Sequence, residues 1–367
     1  MTAPTEPVAA TMEVSDPDCL TRQPKVSVLM LAYNQAPYIA KAISSVLEQR
    51  ASFPFELIIG DDASMDETRG IALEAQRAYP ESVRVLFSEQ NVGMHANHGR
   101  LVSAARGEFI AYCEGDDYWL DQGKLQRQID YMDTHPECGL VHANYLNLIS
   151  VGNTWRTRLA FRKAGQLRSR AGAIYADMLR ANKIQTCTVL SRLEMIERYR
   201  CCGPGVDSYL VGDWPEFLYL AHESEVGFIH EPLAAYRRTP GSVTNSGHAA
   251  KVELCLDSIR MINDFCDHFG DAKSVRESAL EAQFRVLSAL SFRAGDQARF
   301  HAAKDWLSVN RLGGASTLKM RAMGTLIKWP KLSNLLTRAL LGMVAVTHRI
   351  TFRKLKQPVA TNEMHST

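Results

Sequence analysis

Three acidic residues around one glycine follow a short apolar run in the first half of the chain. The run is Phe109 to Cys113, and it leads into Glu114-Gly115-Asp116-Asp117. An apolar strand that ends in an acidic turn places charge at the carboxyl end of a sheet, where open α/β sheets bind ligands. Neighbouring carboxylates repel one another and favour a bound cation such as Mg²⁺ or Mn²⁺, which keeps positions open for substrate phosphates. The alternative is an acidic turn that only caps the following helix.

A second apolar run also ends in acids. Phe55 to Gly60 leads into Asp61-Asp62, and a helix is predicted over Thr68 to Tyr79. An Asp at a strand end can accept a hydrogen bond from a base N–H or a ribose hydroxyl, and it can equally cap a helix. Two acidic strand ends in one sheet favour a binding site over capping alone.

Strands and helices alternate through this half of the chain. The apolar runs predict strands at Val26–Ala32, Phe55–Gly60, Val83–Phe87 and Phe109–Cys113, with amphipathic helices between them. This alternation is typical of a doubly wound α/β sheet. The Gly-rich fingerprint of dinucleotide-binding proteins and the phosphate loop of NTPases are absent from the sequence. Those two classes therefore lose their main support.

An ordered set of short motifs resembles family 2 glycosyltransferases of the GT-A fold. Each motif is weak alone, but together they follow the order and spacing of the family over about residues 24–145. They are Val26-Ser27-Val28 through Tyr33-Asn34, Glu56 through Ser64, Asn91-Val92-Gly93, Ala105 through Ala111, Glu114 through Trp119, and Lys124-Leu125. The resemblance implies an α/β fold with a GT-A type nucleotide-binding mixed sheet, flanked by helices and followed by a C-terminal helical extension.

The resemblance also implies roles for residues at the strand ends. Ala32, Tyr33 and Asp62 lie around the nucleobase and ribose, with Asp62 reading the base. Glu114-Gly115-Asp116 corresponds to the D-x-D element of the family, so Asp116 is the expected ligand of Mn²⁺ or Mg²⁺ at the donor diphosphate. Glu114 departs from that pattern by replacing the first Asp, and we expect it to bind the nucleotide sugar. The family suggests a UDP-sugar donor.

Two further positions follow from the resemblance in the second half. Asp213 is the expected general base, which takes the proton from the acceptor hydroxyl. The alternative is helix capping, because Pro215 and Glu216 complete a capping pattern. Arg237 is expected to bind the diphosphate or to be a solvated surface charge. The His that often follows a Tyr-Arg pair in the family is missing here.

Length and composition indicate a globular protein of two or three domains. The chain has 367 residues, 46% of them apolar and 22% charged. Its eight cysteines form no C-x-x-C pair, which favours free thiols in a reducing compartment. Arg156 to Arg170 is predicted to be a loop. We predict a disordered leader over 1–24, a GT-A catalytic domain over 25–245 (nucleotide-binding half 25–120, acceptor half 121–245), a helical extension over 246–312 and a basic amphipathic tail over 313–367.

The tail has a charge pattern unlike the rest of the chain. No Asp or Glu occurs between Trp306 and Asn362, although the formal charge of the whole chain is only +2. Apolar residues from Leu332 to Ile350 fall on one helical face edged with Lys and Arg, which suits a membrane surface. The alternative is a terminal helix buried on the body. We expect a cytoplasmic protein that contacts the inner face of the cell membrane through 313–357, with no membrane-spanning helix and no nucleic-acid partner.

The leading hypothesis is an inverting, metal-dependent enzyme. It moves a sugar from a nucleotide-diphosphate donor to a hydroxyl acceptor, a glycan or a lipid-linked glycan, in cell-surface polysaccharide or glycolipid synthesis. The alternative is a non-catalytic nucleotide-sugar-binding or scaffold protein of the same fold. A nucleotidyltransferase is disfavoured, because the turn at Tyr33 to Pro37 lacks a Gly-rich basic phosphate loop.

Overall fold

A computed structural model describes residues 11–151, 154–161, 170–239 and 247–310 of the chain. Internal contacts divide the chain into two compact units, Met1–Gln283 and Phe284–Thr367. The predicted basic tail lies outside the described residues. Within the described part of the chain, no helix is both long enough and apolar enough to cross a membrane. The predicted domain boundaries remain predictions.

The strands belong to one mixed sheet in the first unit. Their bounds are β1 Met12–Val14, β2 Val26–Ala32, β3 Phe55–Asp61, β4 Val83–Phe87, β5 Phe109–Tyr112, β6 Tyr118–Trp119, β7 Cys138–Val151, β8 Thr154–Leu159, β9 Leu190–Arg192 and β10 Glu225–Arg238.

The helices follow the apolar periodicity of the sequence. Their bounds are α1 Ala36–Leu47, α2 Thr68–Ala78, α3 Gly93–Ala104, α4 Lys124–Thr134, α5 Tyr175–Arg180, α6 Leu193–Cys202, α7 Asp213–Glu223, α8 His248–Phe269, α9 Lys273–Ala294 and α10 Gln297–Val309. A short 3₁₀ turn, Thr186–Thr188, precedes β9.

The order of strands in the sheet is β1-β4-β3-β2-β5-β9-β7-β10-β6, with β8 paired to β7. The neighbours of β2 and β3 are parallel to them, as the alternation of strands and helices predicts. Strand β9 is antiparallel to both β5 and β7, while β10 runs parallel to β7. The mixed α/β fold class is therefore confirmed. Strand β9 links the parallel half to the half that carries β7 and β10.

The parallel strands are buried along most of their length. Val26, Val28 and Met30 of β2 are fully buried, and so are Phe109 and Ile110 of β5. Strands with two covered faces consist of continuous apolar residues rather than alternating ones. This burial holds the strand ends in place, so the acidic turns that follow them lie on a rigid support.

Two expectations from the sequence are wrong in part. Residues 12–14 belong to the predicted disordered leader, yet they form β1, which pairs antiparallel to β4 with Met12 opposite Phe87. Glu13 in this strand also accepts a hydrogen bond from Arg84 at 2.8 Å. The expected loop over Arg156 to Arg170 includes most of β8, which pairs with β7 from Leu146 to Val151. The partner of β1 is distant in sequence, and β8 lies off the main strand order of the sheet, paired with the preceding strand β7.

A buried carboxylate ties three strands together. Glu56 of β3 is fully buried and accepts hydrogen bonds from Ser27 Oγ at 2.7 Å and from Arg84 Nη1 at 3.2 Å. Arg106 donates to the same carboxylate through Nη2 at 2.6 Å and Nε at 3.0 Å. Arg106 lies just before β5, so this cluster links β2, β3, β4 and the entry to β5.

We expect Glu56→Ala to lower the free energy of unfolding by roughly 3–5 kcal/mol, because Arg106 loses its carboxylate partner and the buried Arg84 keeps only Glu13. Urea denaturation followed by circular dichroism measures the change. Glu74→Ala removes an exposed carboxylate from α2 and is expected to change stability by less than about 0.5 kcal/mol. Equal losses for the two variants would contradict a structural role for the Glu56 cluster.

The second unit consists of helical chain in its described part, 284–310. The rings of Phe284 and Trp306 stack with centroids 4.3 Å apart, and those of Phe292 and Phe300 lie 6.3 Å apart. Asp296 caps α10, since its side chain accepts a hydrogen bond from the backbone N–H of Arg299 at 3.0 Å. The ring contacts join α9 to α10.

Candidate active site at the carboxyl edge of the sheet

The acidic turn after β5 lies beside the end of β2. Cys113 N–H donates to the carbonyl of Leu29 at 3.1 Å, and Gly115 N–H donates to that of Leu31 at 3.0 Å. Asp117 N–H then donates to the carbonyl of Glu114 at 2.9 Å and closes the turn. The acids therefore stand at the carboxyl edge of the parallel strands, as predicted.

Gly115 lies in close contact with the Gln35 side chain, which would have to move to admit a Cβ atom. A Cβ atom at this position would lie 2.2 Å from Oε1 of Gln35 and 3.5 Å from Cβ of Ala32. The first distance is shorter than any real contact. The glycine therefore allows the acidic turn to lie directly against the end of β2 and the start of α1.

Glu114 carries a buried oxygen that lacks a counter-charge. Its Oε2 is buried and has no hydrogen-bond partner among the residues that the structure describes. Burial raises the pKa of Glu114 to about 8, and the neighbouring carboxylates of Asp116 and Asp213 add to this shift. A buried carboxylate without a partner is costly, and a bound cation would remove that cost.

Arg237 is held on the acidic turn. Its backbone N–H donates to Oδ1 of Asp117 at 2.8 Å, and its Nη1 donates to the carbonyl of Asp116 at 2.9 Å. The guanidinium also lies over the ring of Tyr118, 4.5 Å from the centroid. Because β10 and β6 are antiparallel neighbours, this Arg is placed beside the turn by the sheet. It is therefore not a freely solvated surface charge.

Asp116 is the less buried of the two aspartates in the turn. Its Oδ2 accepts a hydrogen bond from Thr239 Oγ1 at 3.3 Å, and burial raises its pKa. Asp117 is only 2% exposed, and burial together with Asp116 and Glu114 raises its pKa well above the ordinary value. Asp117 thus supports the turn from its buried side, while Asp116 remains more accessible to solvent.

Asp213 is the first residue of α7. Its Oδ2 accepts a hydrogen bond from Thr186 Oγ1 at 2.7 Å, and burial raises its pKa. Thr186 opens the 3₁₀ turn before β9. The turn that leads into the antiparallel strand β9 therefore places Thr186 next to Asp213, and the Thr186 hydroxyl orients the carboxylate of Asp213.

Glu114 and Asp213 line one cavity of about 240 Å³. The structure thus brings together the expected donor-side carboxylate and the expected base, which are far apart in sequence. Ala32, Tyr33, Asp62, Asp116 and Arg237 are not among the residues that line this cavity. They lie at the neighbouring strand ends.

Asp62 caps a helix that is distant in sequence. Its Oδ1 accepts from Val92 N–H at 2.8 Å and its Oδ2 from Gly93 N–H at 2.9 Å, at the start of α3. Its own N–H donates to the carbonyl of Ala32 at 3.0 Å. Carboxylates stabilise helix N-termini in this way. The capping alternative is therefore realised, and each oxygen keeps a lone pair for another donor. Tyr33, beside it, is 45% exposed.

Sequence comparisons agree with this geometry. The profile described as Glycosyl transferase family 2 matches residues 27–192. An uncharacterized protein of Mycobacterium tuberculosis (strain ATCC 25618 / H37Rv) is 32% identical over 262 residues, covering 64% of this chain and 68% of that protein. This chain belongs to glycosyl transferase family 2.

One further relative and one solved structure are also similar to this chain. TuaG of Bacillus subtilis (strain 168), whose name assigns it to teichuronic acid biosynthesis as a glycosyltransferase, is 36% identical over 111 residues, covering 30% of this chain and 42% of TuaG. The crystal structure of S. aureus TarS 1-349 in complex with UDP-GlcNAc is 15% identical, with 86% of this chain and 92% of that chain covered and a TM-score of 0.49. The strand order of this chain itself defines its fold.

Sequence reasoning missed three side chains of the site. Thr186 orients Asp213, and Tyr112 Oη donates to Oε1 of Glu216 at 2.7 Å on the wall of the cavity. In the sequence, Asp213 and Glu216 are one helical turn apart, but this spacing was interpreted as a capping pattern. Thr186 and Tyr112 left no signal, because only the sheet brings them to these partners.

Proposed function

We propose that this protein is an inverting glycosyltransferase that moves a sugar from a nucleoside-diphosphate donor to a hydroxyl acceptor. The observation that carries the proposal is the shared cavity of Glu114 and Asp213. One carboxylate lacks a counter-charge on the donor side, and the other is oriented by Thr186 on the acceptor side. A displacement reaction needs these two functions on opposite sides of the anomeric carbon.

Asp213 is proposed to act as the general base. The acceptor oxygen forms a bond to the anomeric carbon while the bond from that carbon to the diphosphate oxygen breaks. The acceptor proton passes to the carboxylate of Asp213, and the bonding electron pair leaves with the diphosphate. A single displacement of this kind inverts the anomeric configuration. The raised pKa of Asp213 makes its carboxylate a better proton acceptor near neutral pH.

The donor side fits a divalent cation, Mn²⁺ or Mg²⁺. The described residues contain no group of three or more His, Cys, Asp or Glu side chains that could hold a metal. However, Mg²⁺ is commonly bound by one or two carboxylates together with substrate phosphates. Asp116 would hold the ion, with Glu114 beside it as a carboxylate that burial leaves without compensation. Such an ion would neutralise charge on the leaving diphosphate.

The nucleotide is proposed to lie along the ends of β2 and β3. Ala32 is the last residue of β2 and Tyr33 follows it, and the exposed ring of Tyr33 offers a face for a base. Asp62 would accept from a base N–H through the lone pairs that the α3 helix leaves unused. Arg237 would face the diphosphate, since its side chain is already held against Asp116. Uracil is the proposed base.

A thermal-shift screen of nucleotide sugars, with and without Mn²⁺, tests the function. A ligand that binds only the native state raises the melting temperature. We expect one nucleotide sugar to stabilise the protein only when the ion is present, and to be consumed when hydroxyl acceptors are added. Binding without consumption by any acceptor would favour the alternative, a non-catalytic nucleotide-sugar-binding protein. No metal-dependent binding of any donor would contradict the proposal.

The biological setting is proposed to be cell-surface polysaccharide or glycolipid synthesis, with a glycan or lipid-linked glycan as acceptor. The name of TuaG supports this setting, and so does the basic, amphipathic pattern over 313–357. This segment would bring a cytoplasmic protein to the inner face of the cell membrane.

We expect the protein to sediment with vesicles that contain anionic phosphatidylglycerol but not with neutral phosphatidylcholine vesicles. Each basic residue near an anionic surface contributes about 1 kcal/mol, and salt weakens this attraction. Cosedimentation at low and high salt measures the effect. A variant without residues 313–357 is the control and should remain in the supernatant. Equal sedimentation of both proteins would exclude the segment as the membrane contact.

A further inference from the structure

The wall of the cavity beyond Asp213 is acidic. Besides Glu114 and Asp213, the carboxylates of Asp207 and Glu216 line it, and Arg200 is the one Lys or Arg among the described residues that line it. At a pH at which these groups are ionised, a cavity with this excess of carboxylates repels anions, because like charges interact strongly where little water intervenes. The charge of the wall therefore restricts the ligands that can enter.

Glu216 is fixed with its carboxylate on this wall. It is only 3% exposed, and its Oε1 accepts the 2.7 Å hydrogen bond from Tyr112. Burial and the nearby Glu216 carboxylate raise the pKa of Tyr112 well above its ordinary value, so the phenol remains a donor. The other oxygen of Glu216, Oε2, lies 3.7 Å from Nε2 of His98, and burial lowers the pKa of His98 to about 4. The neighbouring imidazole is therefore neutral and does not cancel the charge of Glu216.

Arg200 is already paired with a carboxylate of the same wall. Its Nη1 and Nη2 lie 3.5 Å and 3.3 Å from Oδ1 and Oδ2 of Asp207. A Cβ atom on Gly99 would lie 2.6 Å from Nη2, so the glycine of α3 makes room for the guanidinium. Because Asp207 forms an ion pair with Arg200, the two together carry little net charge, and Arg200 adds little positive charge to the wall.

We propose that Glu216, supported by Asp207, selects acceptors that are uncharged or amino-bearing sugars and excludes uronates and phosphorylated sugars. This inference rests on the proposed glycosyltransferase function and names the class of acceptor. A fixed carboxylate accepts hydrogen bonds from sugar hydroxyls or an ammonium group, and it repels a second carboxylate. Specificity then comes as much from the repelled ligand as from the bound one.

Binding of methyl glycosides, measured by ligand-observed NMR, tests the proposal. The probes are methyl glycosides of glucose, galactose and mannose, each with its uronate and its 2-amino counterpart. They are titrated at pH 8 with Mg²⁺ and with UDP, GDP or no nucleotide. This pH lies above the pKa of Glu216, which burial raises to about 7, so the carboxylate is charged. We expect the uronate of the sugar that binds to bind at least about tenfold more weakly than its neutral counterpart.

Three variants separate selection from folding. Glu216→Gln keeps an oxygen for Tyr112 and removes the charge, so the discrimination against the uronate should fall to about threefold or less. Asp207→Asn should act in the same direction. Asn also tolerates the positive φ of 58° at this position, so the backbone is preserved even if the Gln variant fails to fold. Glu223→Gln, on the same helix and outside the cavity lining, should keep the wild-type discrimination.

The proposal is overturned if the wild-type protein binds a uronate as tightly as its neutral counterpart, or if discrimination is unchanged in both Glu216→Gln and Asp207→Asn. Binding of none of the glycosides would also overturn it. The nucleotide-sugar thermal shift is read in the same samples. A donor that still binds leaves the proposed function standing while the acceptor inference fails, and loss of donor binding shows that the function itself is wrong.

Discussion

Asp213→Asn is expected to lower kcat by about 10²–10⁴-fold, the usual contribution of one well-placed base. The amide has the same shape and can still accept the hydrogen bond from Thr186, but it cannot take a proton. Donor binding should be unchanged, because Asp213 is proposed to act on the acceptor. Transfer rates at saturating donor, together with a metal-dependent thermal shift of the donor, measure the two effects separately.

A matched variant tests whether orientation matters. Thr186→Val removes the hydroxyl that holds Asp213 and is expected to lower kcat by about tenfold, since a hydrogen bond to a charged group contributes about 1.5–3 kcal/mol.

The raised pKa of Asp213 predicts that the acid limb of the kcat/KM profile lies above the ordinary Asp value. Activity is lost as pH falls through this pKa, because the base becomes protonated. An unchanged rate in Asp213→Asn would exclude Asp213 as the base.

Asp116→Asn is expected to abolish the dependence of donor binding on Mn²⁺ and to lower turnover by at least about 100-fold. A metal ion at a leaving group contributes several kcal/mol, and each 1.4 kcal/mol is a factor of ten. Asn keeps an acceptor for Thr239 but removes the charge that would hold the ion. Mn²⁺ binding followed by electron paramagnetic resonance gives a readout that does not depend on activity.

The control for this variant is Asp130→Asn on α4, which removes an exposed carboxylate of the same protein. It should bind Mn²⁺ and donor as the wild-type protein does. If Asp116→Asn also retained metal-dependent donor binding, the ion would have to be held elsewhere. The role of the turn after β5 would then be structural support for Arg237 alone.

Much of the fold could be predicted from local pattern. The apolar strands β2, β3, β4 and β5 were found from the sequence because fully buried parallel strands consist of continuous apolar residues. A helical extension was predicted over 246–312, and the structure has α8, α9 and α10 in the described part of that range. Strands β1 and β8 were missed, because a short strand at the edge of a pairing has no continuous apolar run and depends on its partner for its conformation.

The candidate site, like the fold, was predicted only in part from the sequence. The acids of Glu114, Asp116 and Asp62 were visible in sequence, because each follows an apolar strand and parallel strands end at one edge. The contacts of these acids were not visible. Asp62 caps α3, and the acidic turn holds Arg237 through Asp116 and Asp117, because the sheet brings distant segments together.

The sequence by itself therefore determined which strands end in carboxylates and which family these motifs resemble, since both depend on residues that are close along the chain. Only the tertiary structure decided that Glu114 and Asp213 share one cavity and that Thr186 and Tyr112 fix its carboxylates. The physical reason is the antiparallel strand β9, inserted between β5 and β7, which joins the two halves of the sheet. Local periodicity carries no information about such a pairing.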